Sequence, residues 1–472
     1  SAASDVYKRQ SAMFGLVVSN NLLYMYTFWE ITSVCSFLLI GYTESRVAVN
    51  NSFKALWMNL LGGAAFAAAI IIMGLTYHST ALSHLVGLAL AGMPVTVILA
   101  LLLLCGFTKS AMMPFSGWLL GAMVAPTPTS ALLHSSTMVK AGVFLIIKLC
   151  PALGNNHAGT MAMFVGGITF FFASCAAISQ SDGKKVLAYS TISNLGLIVC
   201  CAGIGSYEAA WTAIMIVIFH AVAKSLLFLS VGTAEQQLGS RDIERFDGLF
   251  NAMPHLCLCM VIGISGMFLA PFGMLISKWA AMKAFIDAGH PMLLLLLVFG
   301  SATTIFYWAK WLGKILSVMN GQERREQGIT KGEWFTLKTL SWMTIIVCIL
   351  FPLISNYGVL PYLRITYGFT RDVIAQSNLI IMSLMVVLLV ILPSRYGKGQ
   401  PKRKVGALLA GVNMGDDRNY HGAGDNIIPV ELRNWYMEEW FGERKMKLSG
   451  FALCMACIFI QFAIILGGVY RG

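Results

Sequence analysis

Charged residues are scarce in this sequence. They make up 11% of its 472 residues, whereas 57% are hydrophobic and the mean hydropathy is +0.73. A soluble globular chain of this length usually carries about a quarter charged residues. The deficit excludes a chain surrounded mainly by water and places most residues against lipid or against other helices.

Sequence signatures for cofactors are also missing. The sequence has no dinucleotide fingerprint, no P-loop and no haem, iron–sulfur or zinc pattern. Its eleven cysteines form no disulfide framework, because most lie inside apolar segments as small hydrophobic residues. Cys454 and Cys457 have the spacing of a redox pair, but no second pair or nearby histidine accompanies them. We expect no cofactor and no metal site in this chain.

Long apolar segments are what the sequence does have. They run for about 18–27 residues, the length that a helix needs to cross a bilayer. A membrane β-barrel would instead show alternating segments of about ten residues. We therefore predict an all-α, polytopic transmembrane bundle. The predicted spans lie near residues 22–42, 54–75, 95–122, 126–149, 160–179, 186–204, 208–234, 254–286, 292–318, 339–358, 376–393 and 449–468.

The formal net charge of +12 is distributed unevenly over the loops. Alternate loops hold nearly all the lysines and arginines, including ten between residues 394 and 448. The loops of the other set hold none, except for Arg364 and Arg371. Basic loops stay on the cytoplasmic side, so this excess indicates membrane topology rather than nucleic-acid binding. We predict a multi-pass protein of the cell inner membrane with cytoplasmic basic loops.

Two predicted spans carry helix breakers beside a lysine. Lys109 is followed by Pro114 in the first of them, and Pro271 and Gly273 precede Lys278 in the second. Proline removes a helical hydrogen bond, and a membrane tolerates the freed carbonyl only where protein or a water-filled cavity satisfies it. Interrupted helices in corresponding places of two halves indicate a transport path. An ordinary proline kink is the alternative.

Seven ionisable residues are predicted to lie inside the membrane, where each is costly and therefore a functional candidate. They are Glu30, Lys109, His134, Lys140, His220, Lys224 and Lys278. His220 and Lys224 are four residues apart and share a helix face. His134 and Lys140 are six apart, roughly 240° around a helix, and need a bend or water to communicate. An interhelical hydrogen bond is the alternative role of a histidine, and a structural role that of Lys140.

Several segments resemble a known family of antiporter-like membrane subunits. This family is shared by respiratory complex I, multisubunit Na⁺/H⁺ antiporters and energy-converting NiFe hydrogenases. The similar segments are LLYMYTFWEITSVCSFLLIGY, GFTKSAMMPFSGWLLGAMVAPTPTSALLHSSTMVKAGVFL, DGKKVLAYSTISNLGLI, HAVAKSLLFLSVG and the Pro-Phe-Gly to Ser-Lys segment at 271–278. GMFLAPFGMLISKWAAMKAF and AGVNMGDDRNY are most similar to the hydrogenase-linked branch.

The resemblance implies two inverted five-helix repeats, each with a broken helix. It implies that Glu30 and Lys109 form the Glu–Lys pair of the first half-channel and that Lys278 is the terminal lysine of the second. His134, His220 and Lys224 would form a central hydrophilic axis. Ile216 replaces a second histidine found in long relatives, so the relay must differ here.

The resemblance and the spans together predict six regions. Members of the family have further helices before the one carrying Glu30, so we expect a truncated N-terminus. The regions are 1–10, a non-native or disordered leader; 11–149, the first half-channel repeat; 150–318, the second; 319–393, additional helices; 394–448, a cytoplasmic loop; and 449–472, a C-terminal transmembrane helix. Within the loop, the apolar spacing over Glu431–Lys447 predicts an amphipathic helix, lying at the membrane interface or docking a partner.

We therefore expect a subunit that translocates H⁺, Na⁺ or both within a redox-driven complex. An energy-converting hydrogenase or a complex I-like NADH:quinone oxidoreductase would be that complex. The expected partners are other membrane subunits, a peripheral redox module and the lipid bilayer, without nucleic acid. The alternative is a subunit of a multisubunit cation/proton antiporter that has no redox partner.

Overall fold

Helices dominate the architecture of the protein. The computed structural model describes residues 2–135, 137–154, 156–268, 272–317, 325–369, 372–374, 376–396, 412–414, 419–429 and 433–469. The helices of the first part are α1 (Ala2–Val18), α2 (Leu22–Ile40), α3 (Arg46–Tyr77), α4 (Leu82–Leu90), α5 (Thr96–Lys109), α6 (Gly117–Gly121), α7 (Thr127–Ser135) and α8 (Met138–Leu153). Those of the second part are α9 (His157–Ile178), α10 (Gly183–Ile204), α11 (Tyr207–Leu238), α12 (Leu249–Ala252), α13 (Pro254–Phe268), α14 (Gly273–Asp287) and α15 (Pro291–Leu316).

The C-terminal third is less regular. Its helices are α16 (Lys331–Ile349), α17 (Phe351–Leu353), a π-helix (Ile354–Val359), α18 (Leu360–Tyr367), α19 (Gln376–Tyr396), α20 (Glu438–Phe441) and α21 (Glu443–Val469). The strands β1 (Val412–Asn413), β2 (Asn419–His421) and β3 (Ile427–Pro429) pair antiparallel in the order β1-β2-β3. The chain bends by 64° between α16 and the segment that begins at Phe351.

The predicted polytopic helical bundle is confirmed. Within the described ranges, nine helical segments are long and apolar enough to cross a membrane, and the bent pair of α16 with residues 351–367 would make a tenth. The two remaining predicted spans correspond to shorter apolar helices, Thr96–Lys109 and Asn378–Leu388. The first predicted break lies between α5 and α6, and the second lies between α13 and α14. The division into two repeats stays a prediction.

Side-chain caps fix where several of these helices begin. Asn21, Asp182 and Ser206 each accept a hydrogen bond from a backbone N–H in the first turn of the following helix. Thr330 forms a complete capping box with Glu333 at the start of α16. Such caps satisfy N–H groups that have no partner within the helix, so the chain can turn sharply between long apolar segments.

Helix α10 lies at the centre of the bundle, and all of its residues in the most apolar 18-residue window are buried. It packs closely along α9 because glycines face each other across the contact. A Cβ atom at Gly196 would lie 2.7 Å from the carbonyl oxygen of Gly166. Only glycine allows this close approach of two backbones.

The structure differs from two expectations about the chain's polar segments. From Ala2 onward the segment 1–10, expected as a non-native or disordered leader, is helical and belongs to α1, which packs on α2. Disorder was therefore wrong there, and a non-native origin stays a prediction. The amphipathic helix over 431–447 does not form as one helix. Residues 433–437 are not helical, and Met437 adopts a positive φ of 48° that ends any continuous turn. The first two residues of the predicted helix, Glu431 and Leu432, lie outside the described residues.

A strap formed by residues 433–443 replaces the amphipathic helix and binds the ends of several helices. The Tyr436 hydroxyl donates a 2.5 Å hydrogen bond to Glu244, whose carboxylate also pairs with Lys314 at 2.9 Å. At the other end of the strap, Glu443 accepts a 2.7 Å hydrogen bond from the Tyr189 hydroxyl of α10. The strap is therefore held by polar contacts at both ends.

Glu244 is the principal anchor of this strap. Burial alone would raise its pKa, but the hydrogen bond from Tyr436 and the charge of Lys314 together hold the pKa below the usual value of 4.5. A carboxylate with a lowered pKa contributes stability above its ordinary pKa and loses it as the pH falls through the lower, folded-state value. Below about pH 4.5, the contact should therefore weaken.

Glu244→Gln should loosen the strap at neutral pH. Losing hydrogen bonds to a charged group costs about 1.5–3 kcal/mol, so we expect trypsin to cleave after the exposed Arg433 about tenfold faster. Glu439→Gln is the matched control, because this exposed strap residue keeps its carboxylate in solvent. Equal cleavage rates in both variants would contradict the anchoring role of Glu244.

Candidate functional site

Lys109 is the first of the predicted site residues, and it terminates α5 at the first helix break. Its side chain is fully buried. Nζ donates hydrogen bonds to the Trp29 carbonyl oxygen at 3.0 Å and to Ser33 Oγ at 2.6 Å, both on α2. The ammonium group also lies 5.1 Å from the centre of the Trp29 ring. The lysine is thus held by neutral oxygens and an aromatic face.

Glu30 lies beside these partners on α2 without forming an ion pair with Lys109. No carboxylate–ammonium distance between the two described side chains falls within 4 Å. The Glu30 carboxylate instead packs against Gly63 of α3, where any larger residue would collide with Oε1. The predicted Glu–Lys pair is therefore a pair of neighbours held by different contacts.

The first helix break covers residues 110–116, which are not helical. Its backbone is satisfied by neighbouring helices: the Met113 N–H donates to Thr169 Oγ1 of α9 at 3.1 Å. The indole N–H of Trp118 donates to the Thr108 carbonyl oxygen at 2.9 Å. Cys454 of α21 lies 3.8 Å from Thr169 Oγ1, so this cysteine packs behind the break.

The central part of the site contains a contact that spacing along one helix did not predict. Lys140 of α8 and His220 of α11 lie 2.8 Å apart, Nζ to Nδ1, and both are buried. Sequence spacing had grouped His220 with Lys224 on a common face. The observed partner of His220 comes from another helix, α8, which packs against α11.

Lys224, one turn after His220 on α11, reaches α10. Its Nζ is fully buried and donates to the Leu187 carbonyl oxygen at 3.0 Å and to the Ser190 hydroxyl. The ammonium group lies 5.2 Å from the Trp308 ring centre. Lys224 and Lys109 therefore share one arrangement, in which a carbonyl oxygen, a serine hydroxyl and a tryptophan ring surround each lysine.

His134 lies in the last turn of α7 and is completely buried. Its ring lies 4.9 Å from the Phe228 ring, and neither ring nitrogen has a hydrogen-bond partner among the described residues. The structure therefore places His134 near α11 but does not link it directly to His220 or Lys224. Ser136, which the sequence places beside it, lies outside the described residues.

Lys278 follows the second helix break, on the first turns of α14. It is 7% exposed, and its Nζ lies 5.8 Å from the Phe170 ring centre. Gly273 begins α14 with the Phe219 ring packed directly against it, so a larger residue has no room there. Pro271, the predicted helix breaker, lies outside the described residues.

Sequence reasoning missed the serine hydroxyl groups that accept hydrogen bonds from Lys109 and Lys224. Ser33 lies four residues after Trp29 on α2, and Ser190 lies three residues after Leu187 on α10. Both spacings place a hydroxyl and a carbonyl on one helix face. The signal was the cluster of hydroxyl and amide residues in α10 (YSTISN), which is unusual in an apolar span. No group of three metal-ligating side chains occurs in the described part of the chain.

Buried lysines and histidines on a broken-helix bundle define a class of antiporter-like membrane subunits. Residues 19–304 match the profile of the family described as NADH:quinone oxidoreductase/Mrp antiporter, transmembrane. This match spans more than half of the chain and includes all seven predicted ionisable residues. The chain belongs to that family, as its sequence motifs predicted.

Two curated relatives come from staphylococci. The chain is 33% identical over 376 residues to Na(+)/H(+) antiporter subunit A1 of Staphylococcus aureus strain Newman, covering 74% of this chain and 46% of the relative. It is 32% identical over 400 residues to putative antiporter subunit mnhA2 of Staphylococcus epidermidis, covering 77% of this chain and 49% of the relative. The chain thus spans about half the length of these relatives.

Two solved structures share the fold. The Mrp complex from Dietzia sp. DQ12-45-1b contains a chain that is 28% identical, with a TM-score of 0.69 over 83% of this chain and 45% of that chain. A chain of the membrane-bound sulfane sulfur reductase, an archaeal respiratory membrane complex, is 22% identical with a TM-score of 0.66. That match covers 80% of this chain and 75% of the other and concerns the fold alone.

Proposed function

We propose that this chain is the ion-translocating subunit of a multisubunit cation/proton antiporter. The observation that carries the proposal is the buried row from Lys109 to Lys278, which includes the direct contact between Lys140 and His220. Four buried lysines are expensive in a membrane protein that does not use them. The similarity to antiporter subunits of staphylococci supports an antiporter over the redox-driven complex that the sequence motifs favoured.

The contacts around the lysines support transfer of protons in steps. Lys109 and Lys224 are each held by neutral acceptors, so neither is locked to a carboxylate. A lysine that donates only to neutral groups can release a proton at modest electrostatic cost when another cation approaches. Lys140 and His220 share one short contact. Two positive charges at this distance repel each other, so the contact favours a charge on only one of the two side chains. Movement of a charge at one end would therefore alter proton occupancy along the row.

A redox-driven complex is the second candidate. The shared fold with a respiratory membrane complex supports it, although this likeness concerns architecture only. The hydrogenase-linked or NADH-linked module, and the cytoplasmic placement of the basic loops, stay predictions. Such a module would bind to this chain and its membrane partners and supply the energy.

Everted membrane vesicles that contain the native complex distinguish the two candidates. With a preset pH gradient, added NaCl should dissipate the gradient in vesicles with the complex and leave it intact in vesicles without it. A fluorescent pH probe measures the pH gradient in both kinds of vesicles. If added cations have no effect, but an electron donor drives acidification of the vesicle interior, the antiporter proposal is wrong and the redox-driven complex is correct.

A further inference from the structure

We propose that Glu30, Asn59 and Thr108 form a binding site for a monovalent cation, with Na⁺ as its ligand, where α2, α3 and α5 meet. The inference rests on the proposed antiporter function and deepens it by naming where the cation is held. Three oxygens of different chemistry would bind the ion: a carboxylate, an amide and a hydroxyl oxygen.

Two adjacent glycines of α3 bring the hydroxyl oxygen of Thr108 and a carboxylate oxygen of Glu30 against the same helix. Gly62 faces Thr108 Oγ1 of α5, and Gly63 faces Oε1 of Glu30 from α2. Any side chain at either glycine would displace the oxygen it meets. The carboxylate and the hydroxyl are therefore seated at consecutive positions of the same helix, in space that the glycines leave open.

Asn59 supplies the third oxygen. It lies three and four residues before the two glycines, so it occupies the same face of α3. The side chain is 1% exposed, and its Oδ1 has no hydrogen-bond partner among the described residues. A buried amide oxygen without a partner is costly, and a bound cation would remove that cost.

One amide N–H of Asn59 and the hydroxyl of Thr108 already donate to backbone carbonyl oxygens of their own helices. Asn59 Nδ2 donates to the Ala55 carbonyl oxygen at 2.7 Å, and Thr108 Oγ1 donates to the Cys105 carbonyl oxygen at 2.8 Å. Glu30 Oε1 is buried and has no hydrogen-bond partner in the described structure. A carboxylate oxygen, an amide oxygen and a hydroxyl oxygen are ligands that match a hard cation. A single carboxylate matches a charge of +1.

The neighbouring lysine would influence the bound ion. Lys109 directly follows Thr108, and its ammonium group lies on Trp29 and Ser33, on either side of Glu30 in the sequence. Positive charges that lie close together repel each other in a medium of low dielectric constant. A bound Na⁺ and the Lys109 ammonium group would therefore compete for the negative charge of Glu30.

Asn59→Ala and Thr108→Val test the site in the intact antiporter complex, reconstituted into liposomes. Each should raise the Na⁺ concentration that gives half-maximal transport about tenfold, the effect of one lost interaction with a charged group. Thr108→Ser keeps the hydroxyl and should restore the wild-type value. Asn59→Asp keeps an oxygen at this position and should bind Na⁺ at least as well as wild type.

Asn194→Ala and Thr212→Val are matched controls. Asn194 is buried and donates to the Ser190 carbonyl oxygen at 2.7 Å, as Asn59 does to Ala55, but α10 carries no acidic residue. Thr212 repeats the Thr108 bond on α11, donating to the Glu208 carbonyl oxygen at 2.8 Å. Neither control should change the half-saturating Na⁺ concentration.

Equilibrium binding of ²²Na⁺ to the detergent-purified complex separates the possible failures. An unchanged half-saturating concentration in Asn59→Ala and Thr108→Val would overturn the site while leaving the antiporter function intact. Equal loss of transport at every Na⁺ concentration would identify a water path for protons and would also overturn it. If the wild-type complex binds ²²Na⁺ through these residues but transports none, the site stands and the proposed antiporter function fails.

Discussion

Replacing Lys109 with alanine should abolish cation-coupled proton transport while the complex still assembles. The side chain is fully buried at the end of α5 and donates to Trp29 and Ser33 on another helix. If it takes up and releases the transported proton, its removal should lower the transport rate by about 100-fold or more, as for other proton-transfer residues. Cation-induced decay of a pH gradient in vesicles measures the rate.

Lys283→Ala is the matched control for this experiment. Lys283 is also a lysine of a membrane helix, α14, but its side chain is exposed, as expected for a lysine near the end of a predicted span. The Lys283→Ala variant should transport at the wild-type rate. Comparable transport by both variants, with both complexes assembled to the same level, would refute a proton-carrying role for Lys109. Loss of assembly in Lys109→Ala alone would instead indicate a structural role.

The long apolar segments made the bundle predictable. Helices of this length satisfy their own backbone groups and need little tertiary information, so their approximate limits follow from hydropathy. The break after Lys109 was predictable for a related reason, because Pro114 cannot continue a helix. Burial of Lys109, Lys224 and Lys278 followed from their central positions in these segments.

Contacts between helices were not predictable in the same way. The partner of His220 is Lys140, eighty residues earlier, and no periodicity within one span connects them. The residues of the strap were mispredicted as a helix, because apolar spacing alone favours one. Burial of Tyr436 against Glu244 and the turn at Met437 favour an irregular segment instead. Tertiary contacts outweigh local helix preference in such short polar segments.

The sequence motifs also could not decide between an antiporter and a redox-driven complex. Residues that move protons inside a membrane face the same physical demands in an antiporter and in a redox-driven pump. Motifs around Lys109 and Lys278 therefore identify the family but not the source of energy. In either proposed complex that source would lie in partner subunits, so purification of the native assembly would test the choice more directly than any single substitution in this chain.

Lys140→Met and His220→Gln should impair transport to the same degree, and the double variant should be no worse than either single one. The two side chains touch at 2.8 Å, and residues that act as one unit show strongly non-additive effects. We expect each rate to fall by about 100-fold. The coupling energy from the double-mutant cycle should then equal the effect of one single variant, about 2.7 kcal/mol.

The pH dependence of transport separates a relay from a structural contact. A relay pair determines which protonation state conducts, so both single variants should change the shape of the pH–rate profile in the same way. Lys148→Met is the control on the same helix, because Lys148 lies 5.0 Å from the Tyr362 ring and outside the row. If the Lys140 and His220 variants lose assembled protein but keep the wild-type pH profile, their contact only joins α8 to α11, and protons must pass from Lys109 to Lys224 by another route.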